Sequence, residues 1–232
     1  MSGRRLARQE VSDAVTGLGW RLVLGQLRTY VPVGSMAQAA EVAGRVVAAA
    51  GPDADGHLWV DLRRDRVVLA LQTLGTAWVS EADIEAARRV SLAVGELGLA
   101  TEVGVGGGAP PRSVQVVEIG IDAMDIAAVR PFWKAVLGYA DEVAGAGPED
   151  PLVDPVGQGP AVWFQQMDAP REQRNRIHFD VSVPHDEAQR RIQAALAAGG
   201  TLRSDAAAPA FWVLADAEGN EACVTTWQGR DG

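Results

Sequence analysis

The sequence predicts an α+β protein in two domains: an antiparallel sheet with helices on one face, then a pair of βαβββ modules. Three observations predict it. First, Val117–Tyr139 runs from an alternating strand into a helix opened by Asp125, with Val117, Ile119 and Ile121 on one strand face and Glu118, Gly120 and Asp122 on the other. The unit recurs about 60 residues on, where Ile177, Phe179, Val181 and Val183 alternate with His178, Asp180 and Ser182 before a helix over Asp186–Ala198. Alternation turns one face of each strand to a core, and a repeated unit argues a duplicated domain. Second, the chain up to residue 101 reads helix–strand–strand–helix–strand–strand–helix with short connections, the order of an antiparallel sheet layered with helices. Third, Glu102–Ser113 carries Gly104, Gly106, Gly107, Gly108, Pro110 and Pro111, a composition that holds neither a helix nor a central strand. The expected domains are therefore 1–101 and 114–232, with 102–113 as linker.

Taken in order, Leu6–Thr16 is a short amphipathic helix stopped near Gly17 and Gly19. Trp20–Leu24 and Arg28–Val33 are two strands joined near Gly25. Ser35 caps a helix running to about Ala50, with Gln38 at capping-box spacing. Gly51–Gly56 is a loop. His57–Leu62 and Arg66–Leu74 form a second strand pair, and Ser80 with Asp83 opens a helix ending near Gly98. In the second half the first helix spans Ile126–Val136, with Pro131 removing one of its hydrogen bonds. Ala144–Pro160 is a Gly- and Pro-rich loop, Ala161–Gln166 a strand and Asp168–Asn175 a polar crossover. Phe211–Ala215 and Glu221–Trp227 form the last hairpin, turning on Asp216–Asn220.

Composition narrows the function classes. The chain has 232 residues, 47% of them hydrophobic, enough for real cores. Its net charge of −9 repels phosphate backbones, so nucleic acid is not an expected partner. One cysteine, Cys223, excludes an intramolecular disulfide and fits a reducing cytoplasm. No apolar run reaches the length of a membrane helix, and the N-terminus has no apolar leader core. Gly104–Gly108 is not a phosphate loop, because Pro-Pro rather than Lys-Ser/Thr follows it.

Leu18-Gly-Trp20, the helix from Ser35, the strand Val67–Thr73 and the Ser80-x-x-Asp83 helix start resemble the pterin-4a-carbinolamine dehydratase family over roughly Val11–Leu97. The resemblance implies three catalytic histidines. Aligned on Val67–Thr73, one of them remains, His57, while Gly56 and Leu74 stand at the other two positions. Histidine suits proton transfer at neutral pH. Asp53, Asp55 and Asp61 are candidate partners for it, with Trp59 as a surface on which a flat pterin stacks.

Phe132-Trp133, Leu137-Gly138-Tyr139, Arg176–Asp180 and Asp216–Val224 resemble the vicinal oxygen chelate superfamily in its glyoxalase-like branch, over roughly Val114–Trp227. The resemblance implies a cleft, shared by the two polar strand rows, that holds one divalent metal. Its four ligand positions fall on Glu118, Trp163 (Gln165 after a register slip of two), His178 and Cys223. Glu118, His178 and Cys223 are the expected ligands; Trp163 is none. A metal-free cleft stays open beside this, in which His178 bonds to Glu118 or Asp180 and an organic ligand lies against Trp163, Phe164, Trp212 and Trp227. His185, before a helix, reads as solvated.

Three readings follow: a dehydratase-like hydro-lyase acting on a pterin or similar small heterocycle through His57; a metal-free protein binding a small aromatic or drug-like molecule; and a divalent-metal lyase, isomerase or dioxygenase using Glu118 and His178. Substrate-contact candidates are Trp59, Asp61, Trp163, Gln165, Asp180 and Trp212. A small molecule is the expected partner, and a homodimer is what both resemblances imply.

Overall fold

Capping and alternation decide the first unit. The structure is a computed structural model that describes residues 6–52, 54–105, 112–170, 177–226 and 228–229. Contacts divide the chain into two compact units, Met1–Val116 and Val117–Gly232. In the first, α1 (Arg8–Thr16) is followed by β1 (Arg21–Val23) and β2 (Gln26–Pro32). α2 (Met36–Ala50) starts where the Ser35 hydroxyl accepts from the Gln38 amide at 3.2 Å. The Gln38 side chain reaches one residue further back than a capping box, accepting from Gly34 N at 2.8 Å. Then come β3 (Leu58–Arg63), β4 (Arg66–Leu71) and α3 (Glu81–Glu96).

The sheet order is β1-β2-β4-β3, antiparallel throughout. Leu27, Val31, Val67, Leu69 and Leu71 lie on its covered face and pack with Val42 and Val46 of α2 and Val90 and Val94 of α3. The expected element order and the helix-covered antiparallel sheet are both present. After α3 the chain returns to the sheet edge: Tyr30 and Glu102 exchange two backbone hydrogen bonds of 2.8 Å. Beyond it β5 (Gly104–Val105) pairs with β6 (Arg112–Ser113), a two-stranded ribbon that the Gly/Pro composition did not foretell. Residues 106–111 fall outside the described residues.

The second unit repeats one plan twice. β7 (Glu118–Ala123), α4 (Ile126–Leu137), β8 (Ala140–Asp141), β9 (Leu152–Val153) and β10 (Ala161–Gln166) build a sheet ordered β7-β10-β9-β8. β11 (Phe179–Ser182), α5 (Ala188–Ala197), β12 (Thr201–Ser204), β13 (Phe211–Ala215) and β14 (Glu221–Thr225) build one ordered β11-β14-β13-β12. In each, the first strand lies parallel to the fourth and the rest run antiparallel. α4 packs on α5, and both modules share one core around Phe132, Trp133, Val162, Ile192, Leu214 and Val224.

β9, inside the expected loop Ala144–Pro160, and β8, just before it, were not foreseen, because each holds only two residues. Leu152 belongs there because it pairs with Val162 and is fully buried. β12 was missed for the opposite reason: all four of its residues are exposed, so no alternation marks it.

Candidate functional site

In the first unit the chemistry gathers at one end of β4, where the 3-10 turn Ala54–Gly56 delivers His57. The backbone there is tied across to β4, His57 O accepting from Gln72 N and Gly56 O from Leu74 N, both at 2.9 Å. The ring Nδ1 lies 2.8 Å from Asp83 Oδ1, in the first turn of α3. Asp83 is fully buried, while the His57 side chain keeps 18% exposure. The other carboxylate oxygen is held by the Ser80 amide at 2.7 Å, the Ser80 hydroxyl at 2.8 Å and the Thr73 hydroxyl at 2.7 Å. A buried carboxylate so saturated has a fixed position. An ionised carboxylate only accepts, so it keeps the proton on Nδ1 and leaves Nε2 for other partners.

Asp83 is the partner that sequence reasoning missed. Its place in a helix-start motif was read as capping alone, yet one oxygen caps and the other orients an imidazole. The aspartates named beforehand do not take that role. Asp53 lies outside the described residues, Asp55 is exposed, and Asp61 accepts from Arg63 Nε at 3.0 Å. Strand parity puts Trp59 and Asp61 on the sheet face opposite Leu58 and Val60, which pack against the helix-covered core. Leu74, at a position where the resemblance has histidine, is 54% exposed. A cavity of about 670 Å³ in this unit is lined by Gly19, Arg21, Pro32, Arg66, Thr101 and Glu102 among others, and His57 is not part of its wall.

In the second unit the open faces of the two sheets carry the candidates. On the first sheet Trp163 stands in register with Gly120 and Gln165 with Asp122. The indole lies against Gly120, so close that a Cβ there would sit 3.1 Å from the ring. On the second sheet Asp180 stands in register with Cys223 and Ser182 with Thr225, the last two hydroxyls 2.8 Å apart. Two residues before Asp180 on the same face, His178 Nε2 lies 3.6 Å from Asp180 Oδ1. Donor atoms of His178, Asp180 and Cys223 all lie within 4.8 Å of one another.

Residues 118–225 match the family model described as Glyoxalase-like domain. These residues are a glyoxalase-like domain. The match covers a little under half of the chain. No curated protein matches the sequence. Among solved structures, the chain is similar to a glyoxalase/bleomycin resistance protein/dioxygenase family enzyme from Burkholderia phytofirmans, with 18% identity, TM-score 0.39, 47% of this chain and 95% of that one covered. It is similar to a transcriptional coactivator/pterin dehydratase from Brucella melitensis, with 24% identity, TM-score 0.35, 39% of this chain and 98% of that one covered. It is also similar to a fosfomycin resistance protein from Listeria monocytogenes, with 10% identity, TM-score 0.37, 48% of this chain and 89% of that one covered.

Two expectations for the glyoxalase-like domain need correction. The expected ligand set of Glu118, His178 and Cys223 is not the one brought together: among the described residues, Asp180 joins His178 and Cys223, and Glu118 does not. Glu118 opens β7, in the other module's sheet, close enough to Glu142 for their charges to repel. Trp212 is a core residue, in register with Val224 and only 9% exposed, because its strand parity turns it toward α4 and α5. Phe164 is core by the same parity. Trp227 and Arg176 lie outside the described residues, and His185 is exposed in the turn before α5. The fold implies a divalent metal, and the nitrogen, oxygen and sulfur donors of His178, Asp180 and Cys223 fit one chemically.

Electrostatics in this domain pull neighbouring residues apart. The Lys134 ammonium and Arg130 guanidinium, 2.6 and 2.9 Å from the Asp141 carboxylate, hold its pKa below the usual aspartate value. Burial, then the charges of Glu118 and Asp150, push Glu142 upward.

Proposed function

We propose that the protein is a hydro-lyase acting on a pterin or similar small heterocycle, with His57 as its proton-transfer group. The observation that carries this is the His57–Asp83 pair, a part-exposed imidazole bonded at Nδ1 to a buried carboxylate. Dehydration of a 4a-hydroxypterin needs a proton delivered to the leaving hydroxyl and one removed from N5. One imidazole serves both in turn. As imidazolium, His57 gives its Nε2 proton to the hydroxyl, the C4a–O bond breaks and water leaves. The neutral ring then takes the N5 proton from the resulting iminium cation and returns to its starting state. Asp83 stabilises the cationic ring and holds its orientation through the cycle. This scheme accommodates Gly56 and Leu74 at the positions where the resemblance has further histidines.

The test is turnover of a 4a-hydroxytetrahydropterin by the purified full chain. His57→Ala is expected to slow it by about 100-fold or more, the usual worth of positioned acid–base catalysis. Equal rates for variant and wild type would remove the reading.

A second reading is favoured by the Trp163 indole lying on Gly120, with Asp122 and Gln165 on the same open face. A flat ligand stacked on that ring, oriented by the polar pair, needs no acid–base group. Its signature is binding of a planar aromatic compound that Trp163→Ala abolishes and His57→Ala leaves intact.

A further inference from the structure

We propose that His178, Asp180 and Cys223 form a three-donor site selective for a thiophilic divalent ion such as zinc or cobalt, with Asp180, rather than Glu118, as the carboxylate ligand. The site lies within one module and is independent of the chemistry at His57. Parallel pairing of β11 with β14 sets Asp180 beside Cys223, and the pleat returns His178 to the same face two residues earlier. Further along this face Ser182 and Thr225 satisfy each other at 2.8 Å, so the donor cluster is confined to the His178 end of the row.

Geometry is close to what an ion requires. Bonds of about 2.0–2.3 Å in a tetrahedral shell place neighbouring donors roughly 3.3–3.8 Å apart. The present span of up to 4.8 Å closes by rotation of His178 and Asp180, whose side chains are 59% and 61% exposed. Cys223 is 8% exposed and stays where its strand puts it, so the mobile donors close on a fixed sulfur. Sulfur with imidazole nitrogen selects zinc and cobalt, whereas magnesium, calcium and manganese prefer all-oxygen shells. On binding, the thiol proton passes to solvent and the sulfur enters as thiolate. Three protein donors leave a fourth position for water or a substrate oxygen.

The experiment titrates cobalt(II) into chelator-stripped full-length protein. Wild type is expected to develop a thiolate-to-cobalt charge-transfer band that saturates at one equivalent, with the d–d intensity of a tetrahedral ion. Cys223→Ser and Cys223→Ala should both lose that band while keeping the circular dichroism spectrum and thermal transition of the wild type. Asp180→Asn should weaken binding by about tenfold or more, on the scale of losing a supporting contact or a ligand. Glu118→Gln should bind within about twofold of wild type, since a residue outside the shell contributes none of that loss. Absence of the band, a band that survives in both folded Cys223 variants, or equal losses for Glu118→Gln and Asp180→Asn would each overturn the proposal.

Discussion

Asp83 shows how one buried carboxylate can serve two elements at once. One oxygen takes up Ser80 and Thr73 and starts α3; the other fixes His57. Asp83→Asn keeps the shape and one acceptor for Ser80 N and Thr73 Oγ, but turns an NH2 toward His57 Nδ1 and removes the charge from these hydrogen bonds, so it is expected to destabilise the fold by about 1–3 kcal/mol, seen in urea denaturation. It should also lower turnover at His57 beyond what the lost folded fraction explains. Gly19 is a second residue whose identity is dictated. Its φ is +79°, and a Cβ would sit 2.1 Å from Thr101 O, so Gly19→Ala is expected to cost more than about 1 kcal/mol in the same assay. The sequence shows the glycine but not its neighbour, which is 82 positions away (101 − 19) and reaches it only through the fold.

Among the elements, legibility followed signal strength. β10 was readable to the residue, because the apolar run Ala161–Phe164 closes on Gln165 and Gln166 between a proline and Met167-Asp168. α4 was readable from Asp125, whose carboxylate accepts from Ala128 N at 3.0 Å, to within a residue of its end: expected to stop at Val136, it runs to Leu137, before the left-handed Gly138. What no local pattern reveals is help from elsewhere in the chain. The start of α4 is held also by Glu218, whose carboxylate accepts from Met124 N at 2.9 Å and Asp125 N at 2.7 Å. Glu218→Ala is therefore expected to destabilise the glyoxalase-like domain by about 0.5–2 kcal/mol, the range of a lost cap, and to raise hydrogen exchange in the first turn of α4. The candidate site was legible in its histidines and cysteine, which chemistry singles out. Its carboxylates were legible only in part: Asp180 stood out as a neighbour of His178 and a substrate contact, but among thirty acidic residues no spacing marks Asp83 as more than a helix start.

For the molecule as a whole, Asp141 and Glu142 set opposing pH responses. Asp141 is held below its ordinary 3.8, so the stability it contributes is present above that value and is lost as pH falls through its folded pKa. Glu142 is raised above its ordinary 4.5, so the folded state binds its proton more tightly and stability declines as pH climbs from 4.5 through the raised value. Glu142→Gln is expected to flatten that decline, while Lys134→Met should blunt the loss on acidification. Thermal unfolding of the full chain across pH 3–7 checks both. The first unit has its own core around Trp20, Leu27 and Leu69, and the second around Phe132 and Trp133. We accordingly propose that the segment 114–232 folds when expressed alone, read by dispersed amide resonances.

Asp216 accepts from Trp133 Nε1 of α4 at 3.0 Å, and from Glu218 N, Asn220 N and Asn220 Nδ2 of its own turn at 2.8–2.9 Å. A length change in that turn is thus transmitted to a buried indole in the opposite half of the duplication. The two modules share one strand order; at this point each depends on a side chain that the other supplies, so substitutions at 133, 216 and 220 should act on stability as one unit.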